Sequence, residues 1–520
     1  MWPPPYNGEG GAALGDSAVG TQTVNMKVDN VARPVTFVAG RTYIEGNWGG
    51  GWTLVIKRYD YATGDCIGDA SCSQSFLHPG QPSATDYFVP VAMKVVQETE
   101  HDEPEKTYVL VTGYSSAPDT GNTDFRTVCF NGNLVVRWDQ KFTAPIALET
   151  ALQVDEYPVD LSIWPGTNVA CVTGNTFNGF NWDVVTVFHQ ISNGKAVNWE
   201  VEASTNGNDL AAGCWNHMVM DQISGETGVA YVVATMNDGV MGNSLKAFKY
   251  RAVSGAWERF EIEYPAPSEH SVVKANAMDG INDGVVRDYA VGVGRVSGVD
   301  TVYMLTVKFN FTSVSPPVWG AAYNARGQDP GYNEALAVTI HPTTEIPESF
   351  GDFIAVAGNG YRDSSRGRDS LVCLYMGEDL RWSAWLNKEQ NDPVVDIFDT
   401  CTGVAMDVKD ASQVNDSNGY RVYVMGQSPV AAGDVDWRVA VFTSQDTAEP
   451  ETPTLKAVDG NAILNLTGFP TGIDRPMKMQ LNPPIAGDSA HNFVVTGNVF
   501  NGTTNGDDIV TRKYRYTPAP

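Results

Sequence analysis

The chain has 520 residues, of which 42% are hydrophobic and 18% are charged, a composition typical of a globular protein and not of a disordered one. Its 61 acidic and 34 basic residues give a formal net charge of −27, which disfavours nucleic acid and anionic membrane surfaces as partners. No stretch approaches the ~18 consecutive apolar residues of a membrane span, and the first residues lack the basic and apolar regions of a signal peptide.

One pattern recurs along the whole chain: a β-branched run ending in Gly, a polar loop, and a second alternating run. The first copy reads TFVAGRTY followed by WTLVIKRY, and the last reads FVVTGNVF followed by DIVTRKY. The anchor residue recurs every 60 to 73 residues, at Gly40, Gly113, Gly174, Ala234, Gly294, Gly358, Gly426 and Gly497. Eight copies of this length predict an all-β fold, an eight-bladed β-propeller.

Each copy can be filled out to four antiparallel strands. An apolar run before the Gly-ending strand predicts the innermost strand, and a tract that often carries Trp predicts the outermost one. The whole chain, residues 1–520, is then one propeller with no appended domain. Its blades cover approximately residues 21–80, 88–145, 157–204, 214–265, 272–323, 334–388, 402–468 and 475–516.

The last copy ends after its third strand, whereas a spare outer-strand tract stands at the other end of the chain. Trp2-Pro-Pro-Pro-Tyr6-Asn7 repeats the spacing of Trp319-Gly-Ala-Ala-Tyr323-Asn324. We therefore expect residues 2–8 to form the outer strand of the last blade. Three prolines fit only such an edge position, because proline donates no ladder hydrogen bond, and the strand would cover an open sheet edge.

A Trp…Tyr-Asn-Gly-x-Gly tract, an apolar strand, a VxVTG strand and a DxxTxxY-like strand follow one another along nearly the whole chain. This series resembles the Ser-x β-propeller repeats of bacterial secreted and cell-surface proteins. The resemblance implies a mature extracellular protein without its leader. It also implies a non-enzymatic module for binding, adhesion or scaffolding, with a protein, other copies of itself or a surface polysaccharide as partner. Ala234 departs from the repeat, which puts the local turn geometry of the fourth copy in question.

Seven cysteines are present, and two of them, Cys66 and Cys72, stand in one Gly/Asp-rich loop. Secretion would allow these two to form a disulfide. Metal binding by the pair is weakly indicated, because no second pair or nearby His completes four ligands.

Acidic residues recur just before the predicted innermost strands, at Asp16, Asp86, Asp155, Asp209, Asp399 and Asp474. Brought together by a ring, they could form an acidic channel mouth that binds Ca²⁺, which prefers several carboxylate and carbonyl oxygens. Alternatively, they only satisfy turn amides through local side-chain bonds. Both interpretations remain open, and no other cofactor is indicated.

Catalytic motifs are absent from the sequence: there is no HExxH and no GxSxG, and His217 stands alone on a predicted innermost strand. The alternative function is a carbohydrate-active enzyme, a glycoside hydrolase or polysaccharide lyase, with its site at a channel mouth. Glycoside cleavage needs paired carboxylates about 5–10 Å apart, and the sequence does not single out such a pair.

Candidate glycosylation sites are the four N-x-S/T sequons, which are predicted to lie in loops or on outer strands. They are Asn310, Asn415, Asn465 and Asn501.

Overall fold

The computed structural model describes most of the chain in segments. These are residues 16–44, 51–67, 87–98, 102–116, 122–142, 155–163, 168–177, 181–202, 208–221, 225–237, 243–253, 256–265, 272–282, 287–297, 301–312, 318–323, 332–341, 352–361, 368–386, 400–408, 420–431, 434–443, 475–481, 491–500 and 507–516. Apart from one 3₁₀ turn, Pro104–Lys106, the regular elements of these segments are all β-strands. No helix in them is long and apolar enough to cross a bilayer.

The described strands form eight antiparallel sheets, and each sheet is built from strands that follow one another in the chain. The first strands of the sheets are β1 (Ser17–Val28), β4 (Phe88–Gln97), β8 (Glu156–Ile163), β12 (Leu210–Asp221), β16 (Val272–Asn282), β20 (Asn333–His341), β24 (Thr400–Val408) and β27 (Arg475–Leu481). The second strands are β2 (Val31–Ile44), β5 (Thr107–Ser116), β9 (Val169–Phe177), β13 (Gly225–Asn237), β17 (Asp288–Ser297), β21 (Phe353–Tyr361), β25 (Tyr420–Ala431) and β28 (His491–Phe500).

The third strands are β3 (Gly51–Asp60), β6 (Thr123–Asn131), β10 (Trp182–Gln190), β14 (Asn243–Val253), β18 (Val302–Asn310), β22 (Arg368–Met376), β26 (Asp434–Thr443) and β29 (Asp507–Tyr516). Five sheets have a fourth, outer strand within the described residues. These are β7 (Val136–Phe142), β11 (Ala196–Glu202), β15 (Ala256–Tyr264), β19 (Val318–Tyr323) and β23 (Asp379–Leu386). The tracts predicted to supply an outer strand to the other three sheets, including residues 2–8, lie outside the described residues.

The sheets are arranged in a ring. Each first strand contacts the first strands of both neighbouring sheets, and β27 of the last sheet contacts β1 of the first. The first strands therefore line the centre. The prediction of an all-β propeller with antiparallel blades is confirmed by this topology.

The hydrophobic core is distributed around the ring. Each cluster of buried apolar side chains draws its members from two adjacent sheets, as where Phe37 and Leu54 of the first sheet pack with Val109 and Phe130 of the second. A smaller cluster joins the first sheet to Ile509 of the last. Because the faces of each sheet are covered only by its neighbours, no blade can bury its apolar surface alone.

A β-bulge interrupts every first strand, at the same place in each sheet. The pairing register slips there by one residue, for example between Pro90 and Ala92 of β4 and between Ala335 and Ala337 of β20. The residue just before the slip always pairs with the anchor residue that the sequence repeat identified, so Pro90 faces Gly113 and Ala335 faces Gly358. The same pairing occurs in the other six sheets.

Close approach of the backbone explains why the anchor is glycine. A Cβ on Gly358 would overlap the carbonyl oxygen of Glu334 in the bulged first strand. The anchors Gly113, Gly174, Gly294, Gly426 and Gly497 each meet the corresponding carbonyl in the same way. In a bulge, two residues of the first strand lie opposite one residue of the second strand. The residue of the second strand must therefore have a small side chain or none. In the fourth sheet Ala234 occupies this position, and the register slip opposite it is retained.

Replacing Gly358 with Ala should destabilise the protein by about 1–3 kcal/mol, the usual cost of overpacking a buried site. The melting temperature of Gly358→Ala, compared with that of the wild type, measures this effect. Ala234→Gly is the reciprocal control and should cost no more than about 1 kcal/mol, since that position already accommodates a Cβ. A Gly358→Ala variant as stable as the wild type would contradict the explanation.

A second repeated device joins neighbouring sheets, and it uses the residue that follows the anchor. The Asn359 side-chain oxygen accepts a hydrogen bond of 2.7 Å from the Cys401 N–H of the next sheet. Three further side chains act identically on the next sheet. These bonds are Asn175 to the Ala211 N–H, Thr235 to the Ala275 N–H and, across the junction of last and first sheets, Asn498 to the Ala18 N–H.

The remaining interfaces differ in a consistent way. In three of them, the residue of the next sheet that would donate its N–H is a proline. The residue after the anchor is then not Asn or Thr. These pairs are Arg41 with Pro90, Tyr114 with Pro158 and Gln427 with Pro476. Proline has no N–H that needs an acceptor. Arg295 is the exception, since it lies before a sheet with Ala335 and pairs instead with Glu334, at 3.8 Å.

Asn359→Ala leaves the buried Cys401 N–H without its acceptor and should lower stability by about 1–3 kcal/mol. Gln427→Ala is the matched control, because it removes the equivalent side chain opposite Pro476 and should cost less than about 1 kcal/mol. Denaturant unfolding of both variants gives the comparison. Equal losses in the two variants would show that the acceptor role does not account for the effect of Asn359.

Candidate functional site

The acidic residues predicted to line a channel mouth are placed differently from one another. Asp86, Asp399 and Asp474 lie outside the described residues. The Asp155 carboxylate accepts hydrogen bonds from the backbone N–H and hydroxyl of Thr123, at 3.1 and 3.3 Å.

The Asp209 carboxylate accepts a hydrogen bond from the Asn237 N–H at 2.8 Å, and Asp16 is buried and also has a partner. Asp155 and Asp209 therefore cap strand ends. In the described part of the chain no three His, Cys, Asp or Glu side chains are grouped to hold a metal. Calcium binding stays a prediction.

The other predicted sites are described only in part. Cys66 is disulfide-bonded, but Cys72 lies outside the described residues, so their pairing stays a prediction. Asn310 ends β18, and its side-chain oxygen accepts hydrogen bonds from the N–H and hydroxyl of Thr312. The sequons at Asn415, Asn465 and Asn501 lie outside the described residues. His217 is part of β12, and its side chain is not among the described ones.

Four other cysteines, Cys129, Cys171, Cys373 and Cys401, are free thiols buried in strands. Burial raises the pKa of Cys129 and of Cys401 to about 12, so both thiols stay protonated at neutral pH. Their role is packing and not nucleophilic chemistry.

A cavity of about 420 Å³ lies against the channel wall formed by the first strands of four consecutive sheets. These strands are β27, β1, β4 and β8, so the cavity spans the junction between the two ends of the chain. Its lining includes two ammonium groups, Lys94 and Lys478, and one carboxylate, Asp160.

Hydrogen bonds along the channel wall tie adjacent first strands together. Gln22 of β1 both donates to the Val95 carbonyl and accepts from the Val95 N–H of β4, each at 2.7 Å. Gln480 of β27 accepts from the Thr23 N–H of β1 at 2.5 Å. These side chains all stand three residues past the register slip. They join β1 to the first strands on either side of it.

Asp279 of β16 makes the equivalent bond on the far side of the ring, where its carboxylate accepts from the Ile340 N–H at 2.8 Å and from the Gly280 N–H at 2.9 Å. It is half-buried but enclosed by the ring, and this desolvation raises its pKa to about 6. Asp160 likewise accepts from a backbone N–H, that of Leu161, at 2.9 Å. Both described channel carboxylates thus serve the backbone, which gives no specific support to a glycosidase-like pair.

The raised pKa of Asp279 has a defined effect on stability. The folded protein binds this proton more tightly than the unfolded chain, whose carboxyl has a pKa near 3.8. Stability from this group is therefore present at about pH 4 and is lost as the pH rises through about 6. Asp279→Asn cannot ionise, so its stability relative to the wild type should increase by on the order of 1 kcal/mol between about pH 4 and 7.

Denaturant midpoints of the wild type and Asp279→Asn at the two pH values measure this difference. Asp379→Asn, at an exposed carboxylate of β23, is the control for the general loss of an acidic charge. A difference between wild type and Asp279→Asn that does not change with pH would contradict a raised pKa at this site.

An aromatic row crosses the first three sheets at the end of the ring where the first strands begin. Tyr114 contacts Tyr87 and Tyr157, with ring centroids 6.3 and 4.9 Å apart. Tyr157 contacts Trp182 at 5.6 Å, and Trp182 contacts Phe177 at 5.2 Å. All five rings are half-buried, so each keeps an accessible face or edge.

The row extends to the first sheet through an arginine. The Arg41 guanidinium lies 4.8 Å from the centre of the Trp52 ring, and Trp52 makes an edge contact with Tyr43 at 5.5 Å. Desolvation raises the pKa of Tyr114, so its hydroxyl stays neutral and can donate a hydrogen bond. The positive charge of Arg41 partly opposes the rise in the pKa of Tyr114.

The sequence analysis missed this row because its members come from three copies of the repeat and from different strands. These residues could have been found from the sequence by comparing their positions within the repeat. Arg41 and Tyr114 directly follow an anchor glycine, and Trp52 and Trp182 begin a third strand. A ring brings such equivalent positions to one face.

No protein-family model matches the sequence, and no curated protein matches it. Among solved structures, Chaetomium thermophilum Sqt1 bound to the N-terminus of the ribosomal protein L10 is 10% identical, with 82% of this chain and 87% of that chain covered and a TM-score of 0.41. The β-propeller domain of the Trilobed protease from Pyrococcus furiosus is 10% identical, with 84% and 96% covered and a TM-score of 0.36.

A structure described as a glycoside hydrolase is 9% identical, with 55% of this chain and 83% of that chain covered and a TM-score of 0.24. These likenesses are too remote to indicate a function. The propeller assignment rests on the strand topology of this chain.

Proposed function

We propose that this chain is a non-enzymatic propeller that binds a protein partner and holds it on the aromatic row. The observation that carries the proposal is the set of accessible rings at one end of the first three sheets. Ring contacts run from Tyr114 to Trp182 on the second and third sheets, and an Arg41–Trp52 pair lies on the first. Tyr, Trp and Arg are the residues enriched at the energetic centres of protein interfaces.

The physical properties of the row suit a partner with apolar and polar groups in alternation. Half-buried rings offer contact area at little cost in side-chain entropy, because their neighbours already hold them in place. Their polar tips, such as the neutral Tyr114 hydroxyl, supply hydrogen-bond donors beside that area. Arg41 adds a positive charge on a chain whose net charge is −27, which favours a partner segment carrying an acidic side chain.

The location and completion of the propeller belong to the same proposal. We infer a secreted or cell-surface protein with Ser-x repeats, on the strength of the repeated Trp…Tyr-Asn-Gly tract. We also infer that the ring is eight-bladed, from the eight described sheets. Residues 2–8 are proposed to complete the last blade because Trp2, Tyr6 and Asn7 repeat the spacing of the outer strand that contains Trp319 and Tyr323. A calcium ion at the channel mouth would use the predicted aspartates beyond Asp155 and Asp209.

The test is a selection of binding peptides from a random library on the intact protein. Isothermal titration calorimetry then compares the affinity of the selected peptides for the wild type, Trp52→Ala and Trp182→Ala. Truncating an aromatic residue at the centre of an interface costs about 2 kcal/mol or more, so each variant should bind roughly 30-fold more weakly. Trp199→Ala is the matched control, because Trp199 is 40% exposed on the outer strand β11.

Two outcomes would overturn the proposal. The first is a failure of the selection to yield any peptide whose binding depends on Trp52 or Trp182. The second is binding to a glycan array that is lost in both variants while no peptide binds, which would assign the row to a surface polysaccharide. Melting temperatures of the variants show whether the fold is intact.

A further inference from the structure

The cavity at the channel wall has an unusual distribution of charge. Lys478 projects from β27 and Lys94 from β4, on either side of β1, and both side chains are exposed to the cavity. Neither ammonium group has a hydrogen bond or ion pair with any residue in the described segments, although most other described lysines do. Two ammonium groups therefore line one confined space with no direct ion pair to a described residue.

The residues that directly follow the register slips explain why a cavity exists there. Six of the eight are Gly or Ala, which keeps this level of the channel wide. The eight residues are Gly20, Ala92, Asp160, Gly213, Ala277, Ala337, Gly403 and Lys478. Charge enters the layer only at Asp160 and Lys478, and both line the cavity.

Electrostatics within the cavity favour an additional negative charge. Two ammonium groups and one carboxylate line the cavity, and that carboxylate already accepts the Leu161 N–H. A second carboxylate, Asp279, interacts electrostatically with Lys94 from outside the lining. Desolvation lowers the pKa of Lys478, and the charge of Lys94 lowers it further, whereas Asp160 opposes the shift. Bringing like charges together in a partly desolvated site is costly unless a counter-charge is bound.

We propose that this cavity binds a small anion with two or more negative charges, carried by phosphate or carboxylate groups and held between Lys94 and Lys478. Lysine binds such groups as a point charge with rotatable donors, which needs no bidentate geometry. A volume of about 420 Å³ admits a ligand of up to sugar-phosphate size. The site is separate from the aromatic row and does not depend on the partner proposed for it.

Calorimetric titration of the full chain with inorganic phosphate, pyrophosphate and citrate, at physiological ionic strength, tests the proposal. We expect saturable binding at one site by at least one probe, and the phosphate and tricarboxylate arms identify which chemistry is preferred. Lys94→Gln and Lys478→Gln should each weaken binding by about tenfold or more. Lys195→Gln, which removes the same charge from an exposed turn, should leave the affinity unchanged.

Asp160→Asn separates a binding role from a structural one. Removing the carboxylate beside the two lysines should tighten anion binding severalfold, a gain that damage to the fold would not produce. A rise in melting temperature with pyrophosphate that is present in the wild type and absent in Lys478→Gln gives an independent readout. The proposal is wrong if no probe binds saturably at millimolar concentration, or if Lys195→Gln weakens binding as much as the channel variants do.

Discussion

The approach of one backbone carbonyl to one glycine determines the geometry of the whole ring. In each blade the bulged first strand pushes a carbonyl against the second strand, and only a residue with little or no side chain fits opposite it. The extra residue in the bulge exchanges the two faces of the strand for all residues that follow it. This exchange decides which side chains reach the channel and which pack between the blades. The glycine that punctuates the sequence is therefore the cause of the channel's lining and not merely a marker of a strand end.

Neighbouring blades depend on one another through both apolar packing and polar bonds. Each interface buries side chains from two sheets, and four of the eight described interfaces add a side-chain acceptor for the N–H at the start of the bulge. At three interfaces a proline removes that N–H, and the freed position carries Arg41, Tyr114 or Gln427 instead. Two of these three residues belong to the aromatic row. Because Pro90 of β4 and Pro158 of β8 have no N–H, Arg41 and Tyr114 are not needed as acceptors there, and both belong to the proposed binding surface.

The architecture could be predicted from the sequence because the same pattern of strand and turn residues recurs in each copy of the repeat. β-Branched runs and turn residues recur in every copy and the anchor glycine in seven of eight, so a departure such as Ala234 does not change the fold. The channel could not be predicted equally well. Strand side chains alternate with a period of two, and the bulge inverts this alternation. The anchor glycine lies opposite the bulge on the second strand, so the sequence of the first strand itself does not show where the inversion occurs. Lys478 and Asp160 became channel residues only through that inversion, and the aspartates chosen from the sequence, Asp155 and Asp209, proved to cap strand ends.

The matching of Asn359 with Cys401, and of Gln427 with Pro476, bears on how such a chain can be rearranged. A blade moved to another slot keeps its internal pairing but meets a foreign neighbour, so an unmatched N–H or a wasted acceptor appears at each new seam. The interchangeable module is consequently not the sheet but the segment from the second strand of one blade to the first strand of the next. A duplication, deletion or circular permutation that cuts between a first and a second strand keeps each acceptor with its N–H but separates a bulge from its glycine. A cut in an outer loop keeps the bulge with its glycine and separates the acceptor from its N–H.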